Sequence, residues 1–328
     1  MTYEGIGRVI KGVGGLFTVR MERDGEGPSS APLDGKILFA RGRGALRQKG
    51  SLLVGDRVRV LYDDSSFSIT DGEGLPSPDG TGIVIEEILP RSCALIRPPM
   101  SNLNLLFVTV AAASPDPVFE TVDKLISIAE FNGIEPVMVV TKCDLNPDYA
   151  QRIANCYRKA GFTVFCEGKE TDGVESGLKD YIQTALDGKI AAFSGASGVG
   201  KSTMLNKLFP ALSLETGEIS HRIERGKNTT RSVELFPLSG EENCGFLADT
   251  PGFTMLDFER FDFFEKEDLP ATFREFLPHI GNCRYTKCSH TKEQGCAVLE
   301  AVKRGEISRS RHRSFAALYE VLKKKTKW

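Results

Sequence analysis

Residues 195–203, Gly195-Ala196-Ser197-Gly198-Val199-Gly200-Lys201-Ser202-Thr203, carry the clearest chemistry in the chain. They fit G-x-x-x-x-G-K-[ST], with an apolar run at 190–194 before them and a helical pattern from 201 after them. The glycines let backbone N–H groups curl around phosphates, and the helix N-terminus adds partial positive charge. Lys201 reaches the β and γ oxygens, and Ser202 ligates magnesium. Such a loop does not tell ATP from GTP. Thr141-Lys142-Cys143-Asp144 supplies the distinction, matching [N/T]-K-x-D after an apolar run. One carboxylate, Asp144, accepts from both N1–H and the 2-amino group of guanine, whereas adenine presents no such donor pair. Sites built around such groups discriminate by ~10⁴ or more. Lys142 is expected along the base plane, packed against the phosphate loop.

Two further strings complete a nucleotide switch. Asp249-Thr250-Pro251-Gly252 ends an apolar run, which would hold magnesium through Asp249 and present the Gly252 amide to the γ-phosphate. Residues 226–231, Gly-Lys-Asn-Thr-Thr-Arg, lie where a switch loop would bring the hydroxyl of Thr229 or Thr230 to the metal. A different chemistry follows downstream. Cys283, Cys288, His290 and Cys296 form C-x4-C-x-H-x5-C, a set suited to tetrahedral zinc. With all four ligands from protein, no position is left for water and the metal is structural. Cys93, Cys143, Cys156, Cys166 and Cys244 lie in or beside apolar segments and read as packing residues.

These groups need a sheet to hold them. Between 103 and 257, apolar runs at 105–110, 137–141, 163–166, 190–194, 232–238 and 245–249 alternate with helical periodicity at 118–131, 147–160, 175–186 and 201–208. That alternation predicts an α/β sheet covered on both faces. The base reader precedes the phosphate loop, the reverse of ordinary GTPases. A sheet tolerates such a permutation because its termini lie close together and a surface connection can join them.

The first 90 residues read differently, as five short β-rich runs at 6–10, 16–21, 36–40, 57–62 and 82–88 separated by glycines, which predicts an OB-type barrel. The expected organisation is multidomain α/β: an OB-type barrel at 1–88, a permuted P-loop domain at 89–257, and a zinc-binding helical domain with a basic last helix at 258–328.

Composition agrees with a folded, multidomain chain: 328 residues, 41% hydrophobic and 26% charged, which excludes wholesale disorder, collagen and coiled coil. No apolar run is long enough to span a membrane and the start lacks a signal peptide's apolar core, so the expectation is cytoplasmic, with reduced thiols. The net charge of -2 hides segregation. Residues 36–59 carry seven Lys and Arg against one acid, 303–328 carry nine against two, and 241–275 carry ten acids against three bases. Basic ends point to a polyanion, and Arg41, Arg43, Arg47 and Lys49 in a Gly-rich loop suit RNA phosphates.

Barrel, base reader, phosphate loop, D-T-P-G and C-x4-C-x-H-x5-C in this order resemble the circularly permuted, small-subunit-dependent RsgA (YjeQ/YloQ) GTPases over nearly the whole chain. Matching strings include Val54-Gly55-Asp56-Arg57, Pro90-Arg91 with Arg97-Pro98-Pro99, Ile219-Ser220 and Gly295-Cys296-Ala297-Val298. The resemblance implies a bacterial cytoplasmic GTPase acting on GTP and GDP, and a monomer is the default expectation. It also implies binding to the small ribosomal subunit and its rRNA late in maturation, stimulation by that subunit, and help in releasing assembly factors. Two places depart from a catalytic pattern: Asn228 stands where the family usually has His, and Phe253 where ordinary GTPases have a water-orienting glutamine. His221 is the nearby imidazole, and Cys166-Glu167-Gly168 replaces the S-A-K loop that contacts the base. Slow intrinsic hydrolysis is therefore expected. The alternatives are an RNA-binding module that uses GTP as a structural ligand, and a GTPase with a tRNA client.

Overall fold

A computed structural model of the chain describes residues 2–22, 35–44, 46, 51–63, 83–96, 98–168, 177–209, 233–238, 245–249 and 265–324. In chain order these form β1 (Thr2–Val13), β2 (Leu16–Met21), β3 (Ile37–Gly42), β4 (Arg57–Asp63) and β5 (Val84–Ile88), then short β6 (Ala94–Leu95) and β7 (Met100–Ser101). There follow β8 (Leu103–Ala111), α1 (Phe119–Phe131), β9 (Glu135–Thr141), α2 (Pro147–Lys159), β10 (Thr163–Cys166), α3 (Leu178–Ala185), β11 (Ile190–Ser194), α4 (Lys201–Leu208), β12 (Glu234–Pro237) and β13 (Phe246–Asp249). After two 3₁₀ turns, Leu269–Thr272 and Arg274–Phe276, come α5 (Ala297–Lys303) and α6 (Arg309–Lys324). The chain divides into two compact units.

The first unit comprises Met1–Asn104, Ile182–Ala192 and Phe209–Pro251. Its strands β1-β2-β3-β5-β4 close into a barrel because twelve-residue β1 pairs with β4 through its first half and with β2 through its second. Alternation decides what faces inward: Val19 and Met21, Leu38 and Ala40, and Val58, Val60 and Tyr62 fill the interior with Val9 and Ile85. Each such aliphatic side chain stabilises the fold by about 1.5–3 kcal/mol. A Cβ on Gly7 would stand 2.5 Å from Val19 Cγ1, so β1 can pass that close to Val19 only with glycine there. Past the barrel, β1 continues into a second pairing: Lys11 stands opposite Glu234 of β12, with their charges 2.7 Å apart, and Glu234 stands opposite Asp249 of β13. β13 runs parallel to β11, register Ile190↔Phe246 to Ala192↔Ala248.

Behind the barrel a buried knot fixes the exit of the chain. Asp56 accepts Arg91 Nε at 2.6 Å and Nη2 at 2.8 Å, the Ser101 hydroxyl at 2.6 Å and the Leu53 amide. Gly55 (φ 96°) must be glycine, since a Cβ would lie 2.1 Å from the Ser101 carbonyl oxygen.

The second unit comprises Leu105–Tyr181, Phe193–Leu208 and Gly252–Trp328. Strands β8, β9 and β10 are parallel, and the run Val137–Val140 is fully buried, as a strand covered on both faces must be. Asn146 caps α2 by accepting the Tyr149 amide, and Pro147 opens the helix where no N–H is needed. The C-terminal segment packs its own core of Phe273, Phe276 and Phe315 and lays α6 against α1. Here the buried guanidinium of Arg311 meets Asp123 of α1 at 2.5 Å and Glu275 at 2.7 Å, and Tyr157 donates to Asp123 at 2.9 Å. Arg274 adds ion pairs to Glu130 and Glu135, both at 2.6 Å. Among the described residues, no helix is long and apolar enough to cross a membrane.

Candidate functional site

The phosphate loop leaves β11 at Gly195, where only glycine fits: φ is 154° and a Cβ would lie 2.4 Å from the Thr109 carbonyl oxygen. Gly198 (φ 78°) and Gly200 (φ 98°) supply the remaining left-handed turns before α4 begins at Lys201. Val199 is buried beneath the loop, Ala196, Ser197 and Gly198 are exposed, Ser202 is half-buried in the first turn of α4, and Thr203 is exposed. Lys201 Nζ folds back onto the Gly195 and Ala196 carbonyls at 2.7 and 2.9 Å. Burial lowers its pKa, so phosphate oxygens would find a cation partly stripped of water and held by two weak acceptors.

The end of β9 is bonded to this loop. The buried Thr141 hydroxyl donates to the Val199 carbonyl at 2.5 Å and to the Val110 carbonyl at 3.2 Å. Lys142, in the left-handed region (φ 57°), donates to the Gly198 carbonyl at 2.9 Å and to that of Ser114. Two residues on, Asp144 rests against the loop after β10: a Cβ on Gly168 would lie 2.9 Å from Asp144 Oδ1 and 3.0 Å from its amide nitrogen. The Cys143 amide donates to the Glu167 carbonyl at 3.0 Å. A phosphate cradle and a lysine bridging it to β9 therefore share one hydrogen-bond network of the second unit, with a half-buried carboxylate packed against a glycine two residues on. That arrangement can hold the two ends of a purine nucleotide.

Over residues 88–259 the chain matches the model of the RsgA GTPase family. The chain belongs to the RsgA GTPase family. "Small ribosomal subunit biogenesis GTPase RsgA" from Ruminiclostridium cellulolyticum is 38% identical over 97% of this chain and 94% of its own length. The protein of the same name from Caldanaerobacter subterraneus subsp. tengcongensis is 36% identical over 98% and 97%. Two crystal structures are similar throughout: YloQ, a circularly permuted GTPase (29% identity, TM-score 0.73, 99% of this chain and 97% of that one), and YjeQ from Thermotoga maritima (28%, 0.74, 99% and 100%). Barrel, permuted motif order and α/β domain are thus those of RsgA GTPases, and the chain is a GTP hydrolase.

Other expected members of the RsgA site are only partly placed. β13 ends at Asp249, but that side chain, together with Thr229, Thr230, Gly252, Asn228, His221 and Phe253, lies outside the described residues. The metal quartet is placed fully: the ligand atoms of Cys283, Cys288, His290 and Cys296 all lie within 4.8 Å of one another. Cys283 Sγ and Cys296 Sγ are 3.9 Å apart and each is 3.5 Å from His290 Nδ1. A tetrahedron of Zn–S and Zn–N bonds has edges of about 3.6–3.8 Å, so the donor set fits one zinc ion. Burial lowers the His290 pKa and leaves the imidazole in its ligating, neutral form. Burial also pushes the Cys288 thiol up to about 12, so metal enters by displacing protons.

Sequence spacing did not reveal the residues that brace this quartet or the base reader. The Glu293 carboxylate accepts from the Ser289 hydroxyl and from the amides of Ser289, Thr291 and Lys292. Burial would raise its pKa, but these donors hold it at about 2. His312 Nε2 meets the His290 carbonyl at 2.8 Å, fixing a residue held at φ 57°. Of the five cysteines expected to pack, Cys93 is buried, whereas Cys143, Cys156 and Cys166 are half-buried because they stand in a turn, on a helix flank and at a strand end, respectively. Cys244 lies outside the described residues.

Proposed function

We propose that the chain is a GTP-hydrolysing switch in small ribosomal subunit biogenesis, binding the subunit through rRNA and accelerated by it. The observation that carries the nucleotide part is the pair of bonds from Thr141 and Lys142 to the carbonyls of Val199 and Gly198, which ties a T-K-x-D reader to a phosphate loop. Amides of residues 195–202 would hold the phosphates, Lys201 the β and γ oxygens, and Asp144 the guanine edge. Magnesium, which neutralises charge developing on the transferred phosphoryl group, would be held by Ser202, by Asp249 through water and by Thr229 or Thr230. The Gly252 amide would sense the γ-phosphate, so that hydrolysis releases the switch.

The polyanion reading rests on charge: the barrel and the last helix, in the proposed divisions 1–88 and 258–328, carry the basic runs that flank the 89–257 GTPase segment. Zinc would be structural. With Asn228 and Phe253 offering no general base, intrinsic turnover is slow and the subunit supplies order or a group, as activators do for other GTPases. The working form is a cytoplasmic monomer. Phosphate release measured with purified small subunits, with large subunits and with neither tests this: strong stimulation by small subunits alone is expected. Many turnovers per second by the isolated chain, or equal stimulation by both subunits, refutes it.

A further inference from the structure

The base-reading turn contains a second, unassigned piece of chemistry. β9 and β10 pair so that Cys166 stands opposite Val140. The Val140 carbonyl oxygen accepts the Glu167 amide at 2.7 Å and the Cys143 thiol at 3.2 Å. One carbonyl thus gathers the Cys143 sulfur and the residue next to Cys166, while the Cys143 amide is bonded to the Glu167 carbonyl at 3.0 Å. Both thiols are half-buried, and neighbouring strands run about 4.8 Å apart, inside the span of a disulfide. Both also lie against Asp144. Cys143 precedes it in sequence, and Gly168, two residues beyond Cys166, packs on its carboxylate.

We propose that Cys143 and Cys166 form a peroxide-responsive dithiol whose oxidation to a disulfide displaces Asp144 and lowers affinity for guanine nucleotides.

The chemistry assigns distinct roles. The neighbouring Cys143 thiol and the charge of Arg158 lower the Cys166 pKa against the opposing effect of burial, while Cys143 is pushed up. Cys166 is therefore the thiolate and the nucleophile. Its sulfur attacks one peroxide oxygen: an S–O bond forms, the O–O bond breaks, and hydroxide leaves to take a proton as water. The Cys143 sulfur then attacks the sulfenic sulfur, forming S–S and breaking S–O, and water departs with the Cys143 proton. Two thiols and one hydrogen peroxide become one disulfide and two waters, and an added dithiol reverses the change by exchange.

The functional half rests on the guanine reading of Asp144, so the test separates bond from consequence. The zinc-loaded full chain is treated with near-stoichiometric hydrogen peroxide, digested without reduction and mapped by mass, while GDP and ATP affinities are measured before and after treatment. The expected product joins the tryptic peptides 143–152 and 160–169 before the cysteines of the metal quartet are oxidised. GDP affinity falls by about tenfold or more, the loss of one charge-assisted pair, and returns with dithiothreitol. Cys166→Ser should show no peroxide effect relative to its own untreated state, and Cys143→Ser should accumulate a dimedone-trapped sulfenate at Cys166. Absence of the linked peptide overturns the dithiol. A linked peptide with unchanged GDP affinity overturns its coupling to Asp144. A reduced chain that binds GDP no better than ATP refutes instead the guanine reading, while the mass map still decides the dithiol.

Discussion

Arg311→Met keeps the length and apolar stem of the side chain while deleting the one cation that Asp123 and Glu275 face from α6. The side chains are 1% exposed for Arg311, 1% for Asp123 and 5% for Glu275, so the variant strands carboxylates where water does not reach. Removing one partner of such a pair costs about 3–5 kcal/mol. The pKa directions explain how that cost varies with pH. Burial pushes the Asp123 carboxyl up while Arg311, Ser314 and Tyr157 pull it back. Burial works against the Arg311 charge, yet Asp123 and Glu275 outweigh it and raise its pKa. Without Arg311, burial acts on Asp123 with less opposition, and the folded variant holds a protonated acid that ionises at about 3.9 when unfolded. Its folded pKa is raised, so stability is full below the unfolded value and declines as pH rises, by about 1.36 kcal/mol per pH unit. As pH rises above the unfolded value the variant should therefore lose stability more steeply than the wild type. Hydrogen exchange of α6 amides, corrected for intrinsic rates, reads that local stability. Adding Asp123→Asn to the variant should recover part of the loss at pH 7. A pH-independent penalty, or one under about 1 kcal/mol, refutes the argument.

Asp144→Asn should abolish the preference for GTP over ATP, and Gly168→Ala, whose Cβ would press within 2.9 Å of Asp144 Oδ1, should weaken GDP binding without touching phosphate contacts; competition binding with GDP and ADP checks both. Gly195→Ala should eliminate nucleotide binding, because its Cβ would overlap the Thr109 carbonyl, whereas retained binding by calorimetry would contradict the described loop. Cys288→Ser should release the single equivalent of zinc seen by metal analysis and loosen α5 while leaving GDP affinity nearly unchanged. Because burial lowers the Lys201 pKa and phosphate would restore it, affinity is full below the free-state pKa and declines as pH rises through it. GDP titrations in the alkaline range should show that decline steeper in the wild type than in Lys201→Arg, and parallel profiles would refute it.

Much of this was legible in the chain. Alternation placed the barrel strands because an inward row must be apolar and an outward row need not be, and β10 and β11 begin and end where their apolar runs do. Glycine at 195 signalled the phosphate loop because no other residue can pass that close to Thr109. What spacing could not show were partners chosen by register and packing. Arg311 and Asp123 are 188 residues apart, and Arg311 read as one more basic residue in a solvated helix rather than as the most deeply enclosed charge of α6. Likewise Cys166 and Cys143 looked like filler, since nothing in either segment says that a parallel pairing will set one thiol beside the other.

Lys11, Glu234 and Asp249 form a rung across β1, β12 and β13. Backbone hydrogen bonds stretch little, so sliding β1 along its own axis must either tear that rung or drag the tip of β13 with it. The Lys11 position of β1 therefore lies two strand spacings, about 10 Å, from the backbone of the residue expected to steady magnesium, and a pull on that strand has a short path to it.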